Sequence, residues 1–478
     1  MTAPLLAGWS RVTRFDGEPL DAWAEALRAT GVDPAAIDSL DVVYCQSWPY
    51  DDPPRRLAEA VGARPRRLHY SGIGGTTPLT LAAAAAERVA AGEAEVCAVV
   101  GGEALATVRR MKKAGERPGW SHRDPVKRPF PFEAPFHPAE VAHEVFQAYT
   151  TFAMRDVARR ARLGVAPEEH RSAIGGLFAP MTEVAAANPH AWFRQVRSAE
   201  ELVAPTAENR MVAYPYTKLV TAFMDVDQAA AFVVASEEAA DRLGISLDKR
   251  VHLRGWGSAR DPDYVAEHPE LWRSPAMEQA LRSALARAGA GVDDVAHFDL
   301  YSCFASSVAF SLDALGVDAS DGRAPFTVTG GLPYAGGPGS CYCVGSVAAM
   351  ADVLVAEPGA LGMVTGVGMH LSKHAALVMS TAPGGLRPEP PAPPPGEARR
   401  IVDRVDGPAA IAAYTVHHGP DGSPTAAIAV CDVDDARCYA KADDPELLEA
   451  METDELVGRT VTLQSTAEGV NLIRPNAS

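Results

Sequence analysis

Two glycine-rich turns stand where helix N-termini could bind a negatively charged or strongly polarised oxygen atom. Gly74-Gly75, followed by Thr76, precedes an alanine-rich helical pattern. Gly336-Gly337 precedes a second apolar pattern of the same kind. The first N–H groups of a helix have no partner within it, and the helix dipole favours negative charge there. The pattern predicts an oxyanion-binding pocket, although either turn alone could simply allow a helix to pack closely on a strand.

A basic segment, residues 109–128, is the second candidate for ligand chemistry. It holds eight Lys and Arg residues against Glu116 and Asp124, in a chain of net charge −17. Its first four cations are Arg109, Arg110, Lys112 and Lys113. The segment indicates either a solvated loop or a site for a polyphosphate ligand. The negative charge of the whole chain argues against a general nucleic-acid binder, because such binding needs clustered cations facing phosphates.

The elements that must position the two turns repeat along the chain. In the first half, a helical pattern over 79–91 leads to a buried strand over 96–100. In the second half, a helical pattern over 344–355 leads to a strand over 361–365. This repetition predicts two similar α/β halves whose helices bring their N-termini to one point.

Composition marks the remaining boundaries. The segment PGGLRPEPPAPPPG predicts a proline-rich linker, because proline removes backbone donors and favours an extended chain. After it, short strand patterns over 409–416, 426–430 and 461–464, the first two joined by the turn Gly-Pro-Asp-Gly, favour a small β-barrel. The predicted domains are 1–119 with 209–246 (first half), 120–208 (a loop domain or lid with Phe130, Phe132 and Phe136), 247–382 (second half), 383–396 (linker) and 397–478 (barrel).

The general class follows from length and composition. A chain of 478 residues with 47% hydrophobic and 22% charged residues is typical of a globular protein with several packed units. We find no membrane-spanning pattern and no signal peptide, and therefore expect a cytoplasmic protein. Seven scattered cysteines indicate reduced thiols rather than a disulfide framework, and no metal site is expected.

Four ordered stretches carry a family resemblance. They are GIGGTTPLTLAAAAAERVAAGEAEVCAVVGGEA from Gly72, NRMVAYPYTKLVTAFMDVDQAAA from Asn209, FDLYSCFASS from Phe298 and TVTGGLPYAGGPGSCYCVGS from Thr327. Together they resemble the thiolase superfamily, near the sterol-carrier-protein thiolases and the thiolase-like proteins type 1. AYTVHHGPDG, DDPELLEAM and VGRTVTL resemble the extra C-terminal domain of the type 1 proteins. The resemblance implies the five-layer αβαβα thiolase fold, with a site where two central helices begin.

The positions that thiolases use for chemistry hold other residues here. Gly75 stands, within about one residue, at the place of the nucleophilic cysteine, and Gly337 at that of the histidine in the Gly-His-Pro motif. Thr76 or Thr77 could supply a hydroxyl instead, but a threonine nucleophile needs an adjacent base and the sequence shows none. Tyr301 replaces the residue that holds the oxyanion water, and the second family cysteine falls near Val364. Since thiolase chemistry needs a thiolate and a base, the resemblance implies that this chemistry is lost.

Other side chains near the expected site could supply different chemistry: Tyr301, Tyr342, Cys303, Cys341, His370 and His374. A tyrosine can donate a hydrogen bond to a carbonyl or, with a lowered pKa, accept a proton. The cysteines lie in apolar segments, where burial raises the pKa of a thiol and keeps it unreactive. The histidines could be relocated bases. Packing in the pocket wall is the alternative for the tyrosines and cysteines.

We expect the chain to bind coenzyme A thioesters as small-molecule ligands, with no tightly bound cofactor. The phosphates would lie near the basic segment and the acyl end between the two turns. One alternative is an acyl-CoA-processing enzyme, either an acyltransferase or a retro-aldol C–C lyase with a tyrosine-containing site. Another is a structural partner in a lipid-metabolism complex. The expected assembly is a monomer or homodimer, without nucleic-acid or membrane partners.

Overall fold

The computed structural model describes residues 4–126, 136–392 and 396–474. Phe130 and Phe132 of the predicted lid, and Lys127 and Arg128 of the basic segment, lie outside these ranges. The strands are β1 (Leu5–Thr13), β2 (Ser39–Val42), β3 (Arg67–Tyr70), β4 (Val96–Ala104), β5 (Met211–Ala213), β6 (Tyr216–Thr217), β7 (Asp227–Ala235), β8 (Val251–Arg260), β9 (Val295–Asp299), β10 (Leu361–Gly368), β11 (Lys373–Ser380), β12 (Arg400–Ile401), β13 (Gly407–His418), β14 (Pro424–Val433), β15 (Ala436–Ala442), β16 (Thr460–Ser465) and β17 (Asn471–Arg474). The helices are α1 (Pro19–Ala29), α2 (Pro53–Val61), α3 (Thr77–Ala90), α4 (Leu105–Lys113), α5 (Pro138–Ala142), α6 (Ala148–Leu163), α7 (Pro167–Ala187), α8 (Ala199–Val203), α9 (Glu237–Arg242), α10 (Pro275–Ala288), α11 (Ala305–Leu315), α12 (Tyr342–Ala356) and α13 (Pro445–Thr453).

Two units of the same plan make up the main sheet, whose order is β3-β2-β4-β7-β1-β8-β11-β10-β9. In the first unit β2 runs parallel to β4, and β7 lies antiparallel between β4 and β1. In the second, β9 runs parallel to β10, and β11 lies antiparallel between β10 and β8. The predicted pair of similar halves is confirmed.

The two units face each other across a central helical layer. Helices α3 and α12 contact one another and strands of both units, whereas α1 and α2 pack on the first unit and α10 on the second, with α11 against α10. These layers have the order αβαβα that the resemblance implies. The N-termini of α3 and α12 therefore meet inside the molecule.

The central layer depends on small and apolar side chains. Helix α3 is rich in alanine and has Pro78 in its first turn, where the missing N–H costs nothing. Helix α12 is apolar apart from Ser346 and the exposed Asp352, and most of its residues are buried. By length and composition 339–356 could cross a membrane, but 67% of that window is buried inside the protein, between the two units.

The C-terminal region forms a closed five-stranded barrel in the order β13-β14-β15-β17-β16 and back to β13. Strands β15 and β17 are parallel, and in the chain α13 lies between β15 and β16, the third and fourth barrel strands in sequence order. This arrangement is typical of OB-type barrels. The predicted turn at 419–422 joins β13 to β14.

The barrel packs on the insertion within the first half (residues 120–208) and on β5, which follows that insertion. Strand β13 contacts α6 and pairs with β5 through His417 and Ala213, so β5 and β6 extend the barrel sheet. The hydroxyl of Tyr439 in β15 donates to the carboxylate of Glu140 in α5 at 2.9 Å. The insertion therefore lies between the barrel and the body.

Candidate functional site

A cavity of about 380 Å³ lies where the two glycine-rich turns meet. Its polar and backbone lining comes from the turn before α3, the turn before α12 and the loop after β10: Gly74, Gly75, Gly337, Ser340, Gly368 and His370. Its apolar lining comes mainly from the insertion and from 221–224: Phe136, Phe146, Tyr149, Phe152, Ala222 and Met224. The hydroxyl of Ser340 accepts the N–H of Gly74 at 3.0 Å and so joins the two turns.

The start of α3 presents backbone donors. The carbonyl of Thr76 accepts from the amides of Leu79 and Thr80, but in the described part of the chain the amides of Gly75 and Thr76 have no acceptor. Gly75 lines the cavity. Together with the helix dipole, these amides could stabilise a polarised carbonyl oxygen.

Tyr301 fills the space beside Gly75. A Cβ atom on residue 75 would lie 2.5 Å from the hydroxyl oxygen of Tyr301 and 2.2 Å from the carbonyl oxygen of Val367. Real Cβ atoms essentially never approach another atom this closely. The backbone as folded therefore leaves no room for a cysteine, or for any side chain, at position 75.

Tyr301 itself is buried, with 6% of its surface exposed. Its backbone N–H donates to Thr365 at 2.9 Å, while its hydroxyl has no hydrogen-bond partner among the described residues. Burial, with smaller contributions from Cys303 and Cys343, raises the pKa of the phenol well above its usual value. Tyr301 can therefore donate a hydrogen bond at neutral pH, but it cannot act there as a base.

Tyr342 lies outside this cavity. Its hydroxyl is within 2.6 Å of the Thr329 hydroxyl and 3.4 Å from a carboxylate oxygen of Asp299. Its ring stands at 88° to that of Tyr301, and with Gly336 it lines a separate cavity of about 50 Å³. Of the two tyrosines proposed from sequence, only Tyr301 lines the larger cavity.

None of the cysteines at the site is poised as a nucleophile. Cys303 lines the cavity, but burial raises the pKa of its thiol to about 12. Cys341 points away, toward the carbonyl of Tyr44 at 3.9 Å. Cys343, which sequence reasoning did not single out, donates to the carbonyl of Gly75 at 3.4 Å, and burial raises its pKa well above the usual value. Each thiol is protonated and unreactive at neutral pH.

The two histidines after β10 have different surroundings. His374 lies 3.3 Å from Asp261 and 3.0 Å from the hydroxyl of Ser274, away from the cavity. His370 lines the cavity, and its Nδ1 lies 3.0 Å from the hydroxyl oxygen of Thr151. Burial lowers the pKa of His370 to about 4, so the ring is neutral at physiological pH. Val364, the expected position of the second family cysteine, is buried in β10 and does not reach the cavity.

A basic cleft of about 580 Å³ lies next to this cavity. Arg109, Arg110 and Lys113 line it together with Lys218, whereas Lys112 does not. Arg109 forms an ion pair with Asp225. The segment 221–225 separates the two spaces: Thr221 and Met224 line the cavity, and Phe223 and Asp225 line the cleft.

A buried carboxyl group behind the second turn was missed by sequence reasoning. Glu103, at the end of β4, accepts the amides of Gln46 at 2.7 Å and Ser47 at 2.8 Å. Gln46 lines the cavity, and a Cβ on Gly339 would lie 3.0 Å from Glu103. Burial raises the pKa of Glu103 to about 7. A lone glutamate in the apolar run VCAVVGGEA was the available signal.

The duplicated sheet, the paired central helices and the cavity at their N-termini define a protein of the thiolase class. A family model for the additional C-terminal domain of thiolase-like protein type 1 matches residues 392–468. A monomeric SCP2-thiolase-like protein type 1 from Mycobacterium smegmatis is 30% identical, with a TM-score of 0.86, over 99% of this chain and 98% of that one. The chain therefore belongs to the SCP2-thiolase-like type 1 family.

More distant structures share the fold. The Ltp2–ChsH2(DUF35) aldolase is 19% identical with a TM-score of 0.63, over 79% of this chain and 97% of that one. Acetyl-CoA acetyltransferase from Syntrophomonas wolfei is 16% identical with a TM-score of 0.58, over 80% of this chain and all of that one. A comparison with curated proteins found no match.

Proposed function

We propose that this protein binds coenzyme A thioesters and does not form the acyl-cysteine intermediate of thiolases. The observation that carries the proposal is the packing of Tyr301 and the Val367 carbonyl against Gly75, which excludes a nucleophilic side chain at position 75. The same arrangement leaves the cavity, the unpaired amides and the phenol hydroxyl available to a ligand.

The proposed ligand position follows from the distribution of donors and cations. The thioester carbonyl accepts hydrogen bonds from the Gly75 amide and the Tyr301 hydroxyl, and the acyl chain lies among Phe136, Phe146 and Met224. The phosphates lie in the cleft near Lys113 and Lys218. The proposed setting is a cytoplasmic monomer, and a relative with the same fold is monomeric.

A second candidate function is retro-aldol cleavage of a 3-hydroxyacyl thioester, in which the C2–C3 bond breaks, the 3-hydroxyl group loses its proton to become a carbonyl, and C2 of the shortened thioester gains a proton. The unpaired hydroxyl of Tyr301 favours it, since a phenol beside the carbonyl could donate a proton as negative charge develops. A structure with the same fold is named as an aldolase. In that candidate Tyr301 is an acid, because its raised pKa excludes it as a base.

Calorimetric titration with coenzyme A and a series of acyl-CoAs tests the proposal, with thiol release and product formation followed in parallel. We expect saturable binding without release of coenzyme A. No binding of any thioester would remove both functions, and steady release of coenzyme A would contradict the absence of acyl transfer.

Tyr301→Phe separates the two candidates. In a binding protein the variant loses about 3- to 10-fold in affinity, the usual value of one neutral hydrogen bond. In a tyrosine-dependent lyase it loses several orders of magnitude in turnover. Tyr342→Phe is the matched control, because Tyr342 lies outside the cavity and should affect stability only.

A further inference from the structure

His370 presents a hydrogen-bond acceptor to the cavity because its other ring nitrogen is paired within the protein. The hydroxyl of Thr151 donates its single proton to the carbonyl of Ala148 at 3.0 Å. With the Thr151 proton on the Ala148 carbonyl, the Thr151 oxygen accepts at its 3.0 Å contact with His370, which assigns the proton of the ring to Nδ1. In a neutral ring the other nitrogen, Nε2, is then a bare acceptor.

That acceptor has no partner in the part of the chain that the structure describes. Among the described residues the His370 side chain forms one hydrogen bond, through Nδ1, and Nε2 is not fully enclosed. The ring packs edge to face on Phe136, 5.6 Å between centroids, and lines the cavity together with Tyr301. One cavity thus holds an unpaired donor on Tyr301 and an unpaired acceptor on His370.

The loop that carries His370 is held in an uncommon backbone conformation. Met369 and Leu371, on either side of it, have φ angles of 54° and 61°, which non-glycine residues rarely adopt. The buried guanidinium of Arg155 donates to the carbonyl of Leu371 at 2.7 Å. Arg155 and Thr151 both belong to α6, which therefore fixes the loop and the ring together. Strain of this kind persists where surrounding contacts hold a functional group in position.

We propose that His370 is a specificity-determining residue that accepts a hydrogen bond from a hydroxyl group on the bound acyl chain. This inference rests on the proposed binding of thioesters. Gly368, two residues before His370, lies beside Gly75: a Cβ on Gly368 would be 3.6 Å from the Gly75 amide nitrogen. His370 therefore faces the acyl end of the ligand rather than its phosphates. A plain acyl chain leaves Nε2 desolvated and unpaired, whereas a hydroxyacyl chain satisfies it.

The test compares matched pairs of acyl-CoAs, such as butanoyl-CoA with 2- and 3-hydroxybutanoyl-CoA, by calorimetry on the full chain. We expect one hydroxylated ligand to bind the wild-type protein about 3- to 10-fold more tightly than its plain counterpart. His370→Phe, which keeps a ring of similar size, should abolish that preference. Thr151→Val should weaken it, because Nδ1 then loses its acceptor and the proton can move to Nε2. His190→Phe, a change outside this cavity, should leave it intact.

The outcomes separate this inference from the proposed function. If thioesters bind but hydroxylated and plain chains bind equally, or if His370→Phe keeps the preference, the role of His370 is overturned and thioester binding stands. If His370→Phe weakens the binding of plain acyl-CoA, hydroxyacyl-CoA and free coenzyme A by the same factor, Nε2 of His370 contacts an N–H of the pantetheine arm. That result also overturns the assignment to an acyl hydroxyl group. If no thioester binds, both proposals fail.

Discussion

The hydroxyl oxygen of Tyr301 lies 2.5 Å from the point that a Cβ atom on residue 75 would occupy, so one side chain fills the space that a side chain at the other position would need. Tyr301 in this position therefore requires glycine at 75. The carbonyl oxygen of Val367 lies 2.2 Å from the same point, so a side chain at position 75 would be excluded even without the Tyr301 hydroxyl. The pocket is built around Tyr301, and Gly75 at the N-terminal end of α3 lines it.

Gly75→Ala should destabilise the protein by about 1–3 kcal/mol, the usual cost of inserting atoms into a packed site. Adding Tyr301→Phe should not restore stability, because the Val367 carbonyl remains in the way. Chemical denaturation measures both variants. Gly176→Ala in α7 is the control, because its Cβ atom would meet nothing within 4 Å. At this exposed helix position alanine should raise the free energy of unfolding by up to about 1 kcal/mol. Equal stability of Gly75→Ala and the wild type would contradict the packing described.

Lys113→Ala should weaken coenzyme A binding by about 2- to 5-fold at low ionic strength, because the removed cation lines the cleft. The difference should shrink in 1 M salt, where the screening length falls to about 3 Å. Lys112→Ala, one residue away on the same helix but outside the cleft lining, is the matched control for the change in net charge. Identical losses in the two variants would indicate a general charge effect and not a phosphate site.

His417→Ala tests whether the barrel supports the cavity wall. His417 in β13 contacts the ring of Tyr149 at 5.5 Å between centroids and the hydroxyl of Thr150 at 2.8 Å. Loss of these contacts should cost about 1–2 kcal/mol of stability and also lower acyl-CoA affinity, since Tyr149 lines the cavity. His297→Ala, on a residue paired with Glu357 and not among those lining the cavity, should leave affinity unchanged. A stability loss without any affinity loss would mean that the barrel does not support the site.

Glu103 should make stability depend on pH. Burial raises its pKa in the folded protein from 4.5 to about 7, so the folded state keeps a proton that the unfolded chain has released. The stabilisation from this proton is complete below about pH 4.5 and is lost as pH rises toward and past 7, by about 3 kcal/mol in total.

Glu103→Gln, which is uncharged at every pH, should remove the fall in stability with rising pH that Glu103 causes. Compared with the wild type at the same pH, the variant should therefore gain stability on going from pH 5 to pH 8. Denaturant unfolding of the wild type and the variant across pH 5–8 measures the difference. Glu116→Gln, on an exposed carboxylate, should keep the wild-type slope. A variant profile parallel to that of the wild type would show that Glu103 is ionised in the fold throughout this range.

The fold could be predicted from the sequence because its signals are local and repeated. Glycine-rich turns, helices rich in small and apolar residues, and apolar strands recur in both halves, and the proline-rich segment separates the barrel from the body. The orientation of single side chains could not be predicted in this way. Tyr301 and Tyr342 look equivalent in sequence, but only tertiary packing turns one hydroxyl toward the cavity and the other onto Thr329.

The same limit applies to groups whose state depends on distant partners. The proton on Nδ1 of His370 is set by Thr151, which is 219 residues away in the chain. The thiol of Cys343 reaches the Gly75 carbonyl across 268 residues. No periodicity or motif encodes such contacts, because they arise only when the two central helices and α6 come together.

The central claim, thioester binding without acyl transfer to the protein, is tested most directly by intact-protein mass spectrometry after incubation with saturating acyl-CoA, once calorimetry has established occupancy. The account predicts an unchanged protein mass and an intact bound thioester. A stable mass increase equal to the acyl group, mapped to Cys303 or Cys343, would contradict it.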